Sequence, residues 1–462
     1  MELISKTARE VLDLMASGEV TRDEVLDALE ARIAQVDGQV NALPTLCFDR
    51  ARDRADAAKG VLGGLPVAIK DLVDVAGVRS TRGSPIYADR VPETSGHVVQ
   101  RLEARGGVIY AMSNTPEFGA GASTFNEVNG RTHNPWNLSR SVAGSSGGAA
   151  AALTSGQAWL AHGSDMGGSC RNPASFCNCV GMRPSPGLVP GGPSANPVEI
   201  LGQQGPLARN MGDLGLFLDG MAGTYPREPF SRAVAGSFRQ AAEAPVVPKR
   251  IAWSADLGGI TPVDPEVRAI TEAAARRFEA LGATVEEACP DYSGTYKAFQ
   301  TLRGVAFATS HLTHYREHKD KLKPDVIWNV ELGFKITGEE LAEANAIRAR
   351  MIASHAAFFD KYDLLLCPAT IVPPFPVEDR TVMSCDGVQF ETYIDWMMIV
   401  AAITLTTAPA LSLPCGFTAD GLPVGLQMVG GLHCDATLLS HAAALEAELG
   451  MDLAPIDPRP GS

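Results

Sequence analysis

The chain has 462 residues, of which 45% are hydrophobic and 20% are charged, and its formal net charge is −14 at pH 7. This composition is typical of a globular protein whose apolar residues suffice for one very large domain or for two or three of ordinary size. The acidic balance argues against nucleic acids and anionic membrane surfaces as partners, because like charges repel.

The N-terminal segment alternates apolar and charged residues, as an amphipathic helix does, and lacks the basic and apolar regions of a secretory signal. No uninterrupted apolar stretch reaches about 18 residues, so we expect no membrane-spanning helix. Most of the nine cysteines stand singly in apolar sequence, which is typical of buried thiols in a reducing compartment. The sequence therefore predicts a cytoplasmic protein.

One cysteine pair is close enough in sequence to suggest metal binding. Cys177 and Cys179 form a C-x-C pair, and no second Cys or His pair stands at the spacing of zinc ligands. We therefore predict no metal site.

The first part of the chain alternates predicted helices with short strands. Thr21 and Glu24 form a capping box before an apolar stripe, so helices are expected over roughly the first 60 residues. Val67 to Ile69 then form a short buried strand that ends at Lys70. A helix over residues 98–104 and a β-rich run over 107–112 follow.

Residues 118–146 are dense in Gly, Asn, Ser and Thr and show little periodicity. A stretch of about thirty residues without regular structure is more often functional than idle in a compact protein. We therefore expect this segment to contribute to a site.

The second part continues the alternation. Helices are expected over 148–155, 265–281 and 435–449, and strands over 159–163, 250–254, 362–367, 410–414 and 424–429. We find no internal repeat and no low-complexity linker. The pattern predicts one large α/β domain, with the more helical and aromatic segment 291–343 as a lid or side layer.

Two short motifs match known signatures without their context. VAIK, ending at Lys70, copies the kinase strand that holds the ATP lysine, but the Gly-rich loop, HRD and DFG sequences of kinases are missing. GSSGG around Ser146 fits the nucleophile elbow of α/β-hydrolases. That elbow needs a strand immediately before it, and the preceding NPWNLSRSVA is polar and contains a proline. We set both interpretations aside.

Lys70, Ser145 and Ser169 remain as candidates for chemistry. A serine hydroxyl becomes a useful nucleophile when a base takes its proton, and a neutral lysine amine can serve as that base. Neutrality at pH 7 requires the ordinary lysine pKa of about 10.4 to fall to near 7, and burial behind an apolar strand favours this fall. A second hydroxyl could relay the proton. On residue types alone the alternatives stay open, because Ser-Gly turns are common and a lysine at a strand end is usually solvated.

The glycines before Ser169 suggest a second function for the same loop. The backbone N–H groups of Met166, Gly167, Gly168 and Ser169 are predicted to be free to bind a developing oxyanion. One such donor contributes about 3–4 kcal/mol of transition-state stabilisation in well-studied enzymes.

Several segments, taken in order, resemble the amidase signature family. They are LPVAIKD, SNTPEFG, NPWNLSRSVAGSSGG, GSDMGGSCRNPASFC and PALSLPCGFTADGLPVGLQMVG. The similarity runs from about Leu62 to Gly431, its serine-glycine block is highly specific, and the separation of Ser145 from Ser169 also agrees with that family.

The resemblance implies a mixed, twisted β-sheet covered by helices on both faces and a Ser–Ser–Lys triad. In it, Ser169 would be the nucleophile, Lys70 the base, and Ser145 a proton bridge held through a cis peptide. Ser146 would be a supporting hydroxyl. No metal and no organic cofactor are implied.

The chain departs from the family pattern at residues outside the triad. The block commonly reads GTDTGGSIR, whereas Met166 and Cys170 stand here at two of its positions. We expect Cys170 to point into the core and Met166 to narrow the pocket through its side chain. Asp165 and Arg171 form either a surface ion pair or, as the resemblance implies, a buried pair that braces the nucleophile loop.

As to organisation, we expect one domain over 1–462. Its parts are an N-terminal helical layer (1–60), the signature core (62–220), the helical lid (291–343) and the C-terminal part of the core (344–450).

The predicted activity is hydrolysis of a carbon–nitrogen bond through an acyl-enzyme, on a small-molecule amide or carbamate, by a monomer or homodimer. Esterase or urethanase side activity fits the same acyl geometry. Two alternatives stay open: a glutamine-hydrolysing subunit of a tRNA-dependent amidotransferase, and a non-catalytic binding protein with the same fold.

Substrate choice is expected to depend on variable segments at 190–204, 296–334 and 373–398. The pocket residues predicted there are an aromatic group with one methionine, and they favour a hydrophobic or aryl amide: Trp328, Tyr393, Trp396 and Met397. Each of them could instead belong to the core.

Overall fold

The computed structural model describes residues 3–55 and 57–461. Its strands are β1 (Thr45–Leu46), β2 (Pro66–Lys70), β3 (Val108–Ser113), β4 (Phe125–Asn126), β5 (Gly130–Arg131), β6 (His133–Asn134), β7 (Asn137–Ser141), β8 (Leu160–Asp165), β9 (Val180–Arg183), β10 (Gln203–Ala208), β11 (Arg250–Trp253), β12 (Thr284–Glu287), β13 (Leu364–Pro368), β14 (Ser384–Cys385), β15 (Val388–Gln389), β16 (Ala410–Phe417) and β17 (Pro423–Val429).

The α-helices are α1 (Ala8–Ser17), α2 (Arg22–Val40), α3 (Phe48–Ala55), α4 (His97–Ala104), α5 (Gly147–Thr154), α6 (Arg171–Cys177), α7 (Met211–Met221), α8 (Phe238–Glu243), α9 (Pro265–Ala280), α10 (Thr295–His318), α11 (Pro324–Lys335), α12 (Gly338–Phe358), α13 (Met398–Thr406) and α14 (Asp435–Leu449). Short 3₁₀ turns occur at Leu3–Ser5, Pro85–Tyr87, Glu117–Gly119, Lys319–Lys321 and Asp395–Met397. No helix in the described part of the chain combines the length and the apolar character that crossing a bilayer requires.

Eleven strands form one mixed sheet with the order β1-β3-β2-β8-β10-β9-β16-β17-β13-β11-β12. Strands β2, β3 and β8 run parallel, as do β11, β12 and β13, and the remaining neighbours pair antiparallel. Helices flank the sheet, so the predicted α/β fold class is confirmed. Central strands such as β2, β3 and β17 are buried at every position, which is why they appear in the sequence as continuous apolar runs.

The sheet order also explains where the site forms. Strands β2 and β8 are parallel neighbours, with Val67 opposite Leu160, so their carboxyl ends meet at the same edge of the sheet. Lys70 ends β2 and Asp165 ends β8. The antiparallel strand β10 begins at that edge, where Gln203 lies opposite Asp165.

The start of α5 is held close to the sheet. A Cβ atom at Gly148 would lie 2.3 Å from the backbone nitrogen of Asn114 and 2.6 Å from the carbonyl oxygen of Ala42. Only glycine permits this approach. The helix therefore begins at a fixed place, and Ser145 and Ser146 immediately precede it.

Most predicted helices and strands are present, with ends that differ by a few residues. The capping box of α2 forms through reciprocal bonds between Thr21 and Glu24, and Asp264 caps α9. The segment 118–146 differs from expectation, because it contains the strand pairs β4–β5 and β6–β7. These are two-stranded ribbons outside the main sheet, so their sequences lack the apolar runs of buried strands.

Candidate active site

Lys70 is completely buried at the end of β2. Its side-chain nitrogen Nζ lies 2.7 Å from the Ser145 hydroxyl oxygen, 2.9 Å from that of Ser146 and 3.1 Å from that of Ser164. The first two contacts join residues that the sequence singled out. Ser164 was missed, although its place just after a predicted strand end made it a candidate.

Burial lowers the pKa of Lys70 to about 7, because an ammonium group loses its solvation in the interior. The negative charge of Asp165 acts in the opposite direction. Near neutral pH a large share of the Lys70 side chains is therefore uncharged, with a lone pair that can accept a proton from a hydroxyl within hydrogen-bond distance.

The segment before α5 presents both neighbouring serines to this amine. The peptide bond between Gly144 and Ser145 is cis. The backbone N–H of Ser146 donates to the carbonyl oxygen of Ser169 at 3.1 Å. This bond ties the two serine-bearing loops together.

Ser169 lies in the loop between β8 and α6, is partly exposed, and lines the same cavity as Ser145. Among the described residues, its hydroxyl makes no hydrogen bond to another side chain. The side chain is thus available to a bound molecule. Active-site hydrogen bonds commonly tighten only when substrate is present.

The predicted set of oxyanion donors needs one correction. The N–H of Gly168 already donates to Asp165 Oδ1 at 3.0 Å, because Asp165 closes the turn that carries the loop. The N–H groups of Met166, Gly167 and Ser169 have no hydrogen-bond acceptor in residues 3–55 and 57–461. Three of the four predicted donors therefore remain.

Asp165 and Arg171 are both fully buried, so of the two predicted arrangements the structure has the interior one. Arg171 Nη2 and Nε donate to the two carboxylate oxygens at 2.8 and 3.0 Å. Burial alone would raise the pKa of Asp165, but the charges of Arg171 and Arg183 hold it below its usual range. Arg171 also donates to Gln427 and Thr404, which fixes the loop against β17 and α13.

A cavity of about 300 Å³ opens above Ser145 and Ser169. Met166 and Met397, two of the residues placed in the pocket by the sequence analysis, line it, together with ten residues between Gly191 and Gln204. Its other apolar and aromatic wall residues, none of which the sequence analysis named individually, include Leu72, Phe118, Val189, Phe230 and Phe307.

Three predicted pocket residues do not line this cavity. Trp396 is 1% exposed and packs among core aromatic rings. The rings of Trp328 and Tyr393 contact each other edge-on at 5.7 Å. The hydroxyl of Tyr393 accepts hydrogen bonds from Arg303 and Asn329, so Tyr393 supports the wall from behind.

Helix α10, most of which lies in the predicted pocket segment 296–334, supplies two wall residues that the sequence analysis did not name individually, Arg303 and Phe307. They are four residues apart and share one helix face. Phe299 lies one turn earlier on that face, so the spacing of these three residues is the signal that could have found them.

The family model for Amidase matches residues 24–439 of the chain. The chain belongs to the amidase family. The amidase interpretation of the sequence is thereby confirmed: the protein is an amidase signature enzyme, a hydrolase of carbon–nitrogen bonds other than peptide bonds.

Two curated relatives of this amidase illustrate the range of the family. The chain is 34% identical to an acylamidase of Rhodococcus erythropolis over 456 residues, covering 96% of this chain and 95% of the relative. It is 35% identical to a glutamyl-tRNA(Gln) amidotransferase subunit of Moorella thermoacetica over 480 residues, covering 96% of this chain and 97% of the relative.

Solved amidase structures share the fold over nearly the whole length. A 6-aminohexanoate cyclic dimer hydrolase complexed with substrate superposes with a TM-score of 0.89, 28% identity, and coverage of 97% of this chain and 98% of the other. A bacterial aryl acylamidase of the amidase signature family superposes with a TM-score of 0.89 and 27% sequence identity, and the match covers 96% of each chain.

Met166 and Cys170, two residues at which this amidase departs from the family block, have different surroundings. Cys170 is fully buried, as expected. Met166 is partly exposed and packs against the cluster that contains Phe118 and Phe307. Its side chain therefore forms part of the cavity wall while its backbone N–H stays free.

Proposed function

We propose that Ser169 is the nucleophile of this amidase, that Lys70 is its base, and that Ser145 passes the proton between them. The observation that carries this proposal is the 2.7 Å contact between Lys70 Nζ and Ser145 Oγ. Burial lowers the pKa of that same amine to about 7, so the contact joins a hydroxyl to a group able to take its proton.

In the acylation step, Ser169 Oγ bonds to the carbonyl carbon of the amide. Its proton moves to Ser145 Oγ, and the proton of Ser145 moves to Lys70 Nζ. The carbonyl oxygen becomes an oxyanion held by the free N–H groups of Met166, Gly167 and Ser169. The proton then returns through Ser145 to the amide nitrogen, the carbon–nitrogen bond breaks, and the amine leaves.

Deacylation follows the same steps with water as the nucleophile. Water bonds to the acyl carbon while its proton passes through Ser145 to Lys70 Nζ. The bond between that carbon and Ser169 Oγ then breaks, Ser169 Oγ takes back the proton through Ser145, and the carboxylic acid is released. Every proton is thus returned, and the proposed mechanism needs no metal or organic cofactor.

The buried pair of Asp165 and Arg171 positions the loop without touching the substrate. Asp165 accepts hydrogen bonds from the N–H groups of Gly168 and Cys170, the residues on either side of Ser169. Fixing both neighbours sets the direction of the Ser169 hydroxyl.

We infer that the substrate is a small-molecule amide with an apolar or aryl part. The walls formed by Phe118, Met166, Phe307 and Met397 support this, as do relatives described as acylamidase and aryl acylamidase. Carbamates and esters have the same acyl geometry and are secondary substrates. The protein acts as a monomer or homodimer in the cytoplasm, where its nine free cysteines stay reduced.

A second candidate is ammonia production from glutamine within a tRNA-dependent amidotransferase. The 35% identity to one chain of such an enzyme favours it. The purified chain distinguishes the two: we expect it to hydrolyse anilides without any partner chain. Ammonia release from glutamine only when partner chains are added, with no anilide turnover, would establish the second candidate.

The decisive experiment is a panel of anilides, primary amides, carbamates and esters run with the wild type and Ser169→Ala. We expect anilides to lead the panel and Ser169→Ala to lose more than about 1,000-fold in kcat/KM. Ser293→Ala changes an exposed serine and serves as the matched control. Full turnover by Ser169→Ala would overturn the proposed mechanism.

A further inference from the structure

Arg303 places a buried positive charge in the wall of the substrate cavity. It lies on α10, is 5% exposed, and lines the cavity with Phe307. Its guanidinium carbon sits 4.3 Å from the centre of the Phe307 ring. Removing a charge from water is costly unless an anion or several hydrogen bonds compensate, so the partners of this group indicate what the cavity accepts.

The partners that the protein supplies are neutral. Nη1 donates to Asn329 Oδ1, and Nη2 donates to the Tyr393 hydroxyl at 2.7 Å. Asn329 Nδ2 also donates to that hydroxyl at 2.7 Å, so the three side chains of Arg303, Asn329 and Tyr393 hold one another in place. No carboxylate lies within ion-pair distance of Arg303 in residues 3–55 and 57–461. Two of the five N–H donors of the guanidinium are therefore used and its charge is unbalanced.

The carboxylates that line the cavity are already engaged elsewhere. Glu228 Oε1 lies 2.6 Å from His97 Nδ1 and accepts the N–H of Gly192 at 2.6 Å. Glu199 accepts backbone N–H groups of Leu201 and Gly202. Asp165 is sealed beneath the nucleophile loop by Arg171. None of these carboxylates balances the positive charge of Arg303.

The position of Arg303 relative to the reacting groups follows from the helix. A Cβ atom at Gly167 would lie 3.3 Å from Phe299 Cζ, so Phe299 reaches the proposed oxyanion-binding loop. Arg303 is one turn further along the same face, about 6 Å at the rise of an α-helix. Arg303 and Ser169 line the same cavity, so a molecule bound at Ser169 has room to reach the guanidinium.

We propose that Arg303 binds a carboxylate carried by the amide substrate, so that the substrate class is an amide with an anionic end rather than a wholly neutral one. The planar guanidinium offers paired N–H donors that match a carboxylate, and Phe307 packs against the chain that joins the two ends. This proposal rests on the proposed amidase function of the same cavity.

The test compares anilides that carry a carboxylate with a neutral anilide of similar size. N-phenylsuccinamic and N-phenylglutaramic acids are set against butyranilide, and 4-(butanoylamino)benzoate carries the carboxylate on the leaving group instead. We expect at least one acidic amide to exceed butyranilide in kcat/KM by about 10- to 100-fold, the range that hydrogen bonds to charged groups provide. Equal or poorer turnover of every acidic amide would overturn the proposal.

Variants assign the preference to Arg303. In Arg303→Gln the ratio of acidic to neutral kcat/KM should fall to near 1, and Arg303→Lys should recover part of it because it restores a positive charge without the planar fork. Arg209→Gln is the matched control, since Arg209 is 4% exposed and lies outside the cavity; it should keep the wild-type ratio. A preference that survives in Arg303→Gln contradicts the proposal.

A binding measurement separates this proposal from the amidase mechanism. Calorimetry with Ser169→Ala gives the Kd of each anilide without turnover, and the same ligands are then measured with Arg303→Gln added to that variant. Tighter binding of an acidic amide, lost with Arg303, supports the proposal even if the wild type hydrolyses no anilide, in which case the proposed function fails alone. Hydrolysis of anilides without any charge preference in binding or turnover refutes the role of Arg303 alone.

Discussion

At the scale of single residues, the site depends on one amine that is both buried and surrounded by hydroxyl groups. Lys70 has three serine oxygens within 3.1 Å and a pKa lowered to about 7 by burial. The burial that removes solvation from this amine also favours its neutral form, so the position of Lys70 inside the fold suits its proposed role as a base near physiological pH.

The pH dependence of turnover follows directly. The proposed base must be unprotonated to accept the Ser145 proton, so kcat/KM for the neutral substrate butyranilide should rise with pH, reach half its maximum near pH 7 and level off above about pH 8. Lys70→Arg, which stays protonated, should be inactive throughout. A profile that is flat from about pH 5.5 to 9, or a midpoint near the ordinary lysine value, contradicts this role for Lys70.

The buried ion pair beneath the loop makes a second prediction at this scale. Asp165→Asn leaves the guanidinium of Arg171 without its charged partner in the interior, so the free energy of unfolding should fall by about 3–5 kcal/mol. Urea unfolding of the wild type and of Asp165→Asn measures this difference in free energy. Adding Arg171→Met to Asp165→Leu removes both charges, and this double variant should be more stable than Asp165→Leu alone. Equal stability of the wild type and Asp165→Asn would show that the pair contributes little.

The sequence motif selected residues that the structure brings together, with Lys70 in contact with Ser145, whereas three of the predicted pocket residues do not line the cavity. Lys70, Ser145 and Ser169 stand in a specific motif, whereas Trp328, Tyr393 and Trp396 were selected only because aromatic side chains suit an aryl substrate. Aromatic side chains are equally suited to a core. Which of the two they join depends on how α10 and α11 pack, and that information is not local to the sequence.

At the scale of elements, α5 connects the position of the serines to the packing of the sheet. Its first turn approaches backbone atoms that cannot rotate away, since a Cβ at Gly148 would lie 2.3 Å from the backbone nitrogen of Asn114. The helix start is therefore set by its contact with the end of β3, and the residues just before it carry the hydroxyls that face Lys70.

This contact gives a matched pair of glycine substitutions. Gly148→Ala should lower the free energy of unfolding by about 1–3 kcal/mol through overpacking and reduce kcat/KM at least tenfold, because Ser145 shifts with α5. Gly38→Ala lies on an exposed position of α2 with nothing within 4 Å, and it should stabilise by about 0.5 kcal/mol through helix propensity alone. Thermal unfolding and anilide turnover are measured for both variants. A change in the free energy of unfolding that has the same sign in the two variants would argue against the packing explanation.

The elements that the sequence analysis missed share a physical cause. Strand β10 begins with two glutamines at the edge of the cavity and contains Pro206, so it lacks both alternation and an apolar run. Strand β7 lies in a separate ribbon where Ser139 is exposed. The predicted strands, such as β2 and β17, are fully buried and keep an apolar signature. Burial, rather than strand formation itself, is what the hydrophobic pattern reports.

At the scale of the whole molecule, topology gathers distant segments at one sheet edge. Parallel pairing of β2 and β8 brings Lys70 beside Ser164 although 94 positions separate them, and β10 adds the cavity residues Gln203 and Gln204. The alternation of helices and strands predicted this α/β class. The order of eleven strands was not accessible from the sequence pattern, because pairing between remote strands leaves no local signal.

The most direct test of the central claim is the site of covalent labelling by a fluorophosphonate, read by mass spectrometry of the digested protein. The proposed mechanism predicts one adduct on the peptide that carries Ser169, its loss in Ser169→Ala, and labelling slowed at least about 100-fold in Lys70→Ala. An adduct on Ser145 or Ser146 instead, or anilide turnover by Ser169→Ala at the wild-type rate, would contradict the assignment of Ser169 as the nucleophile.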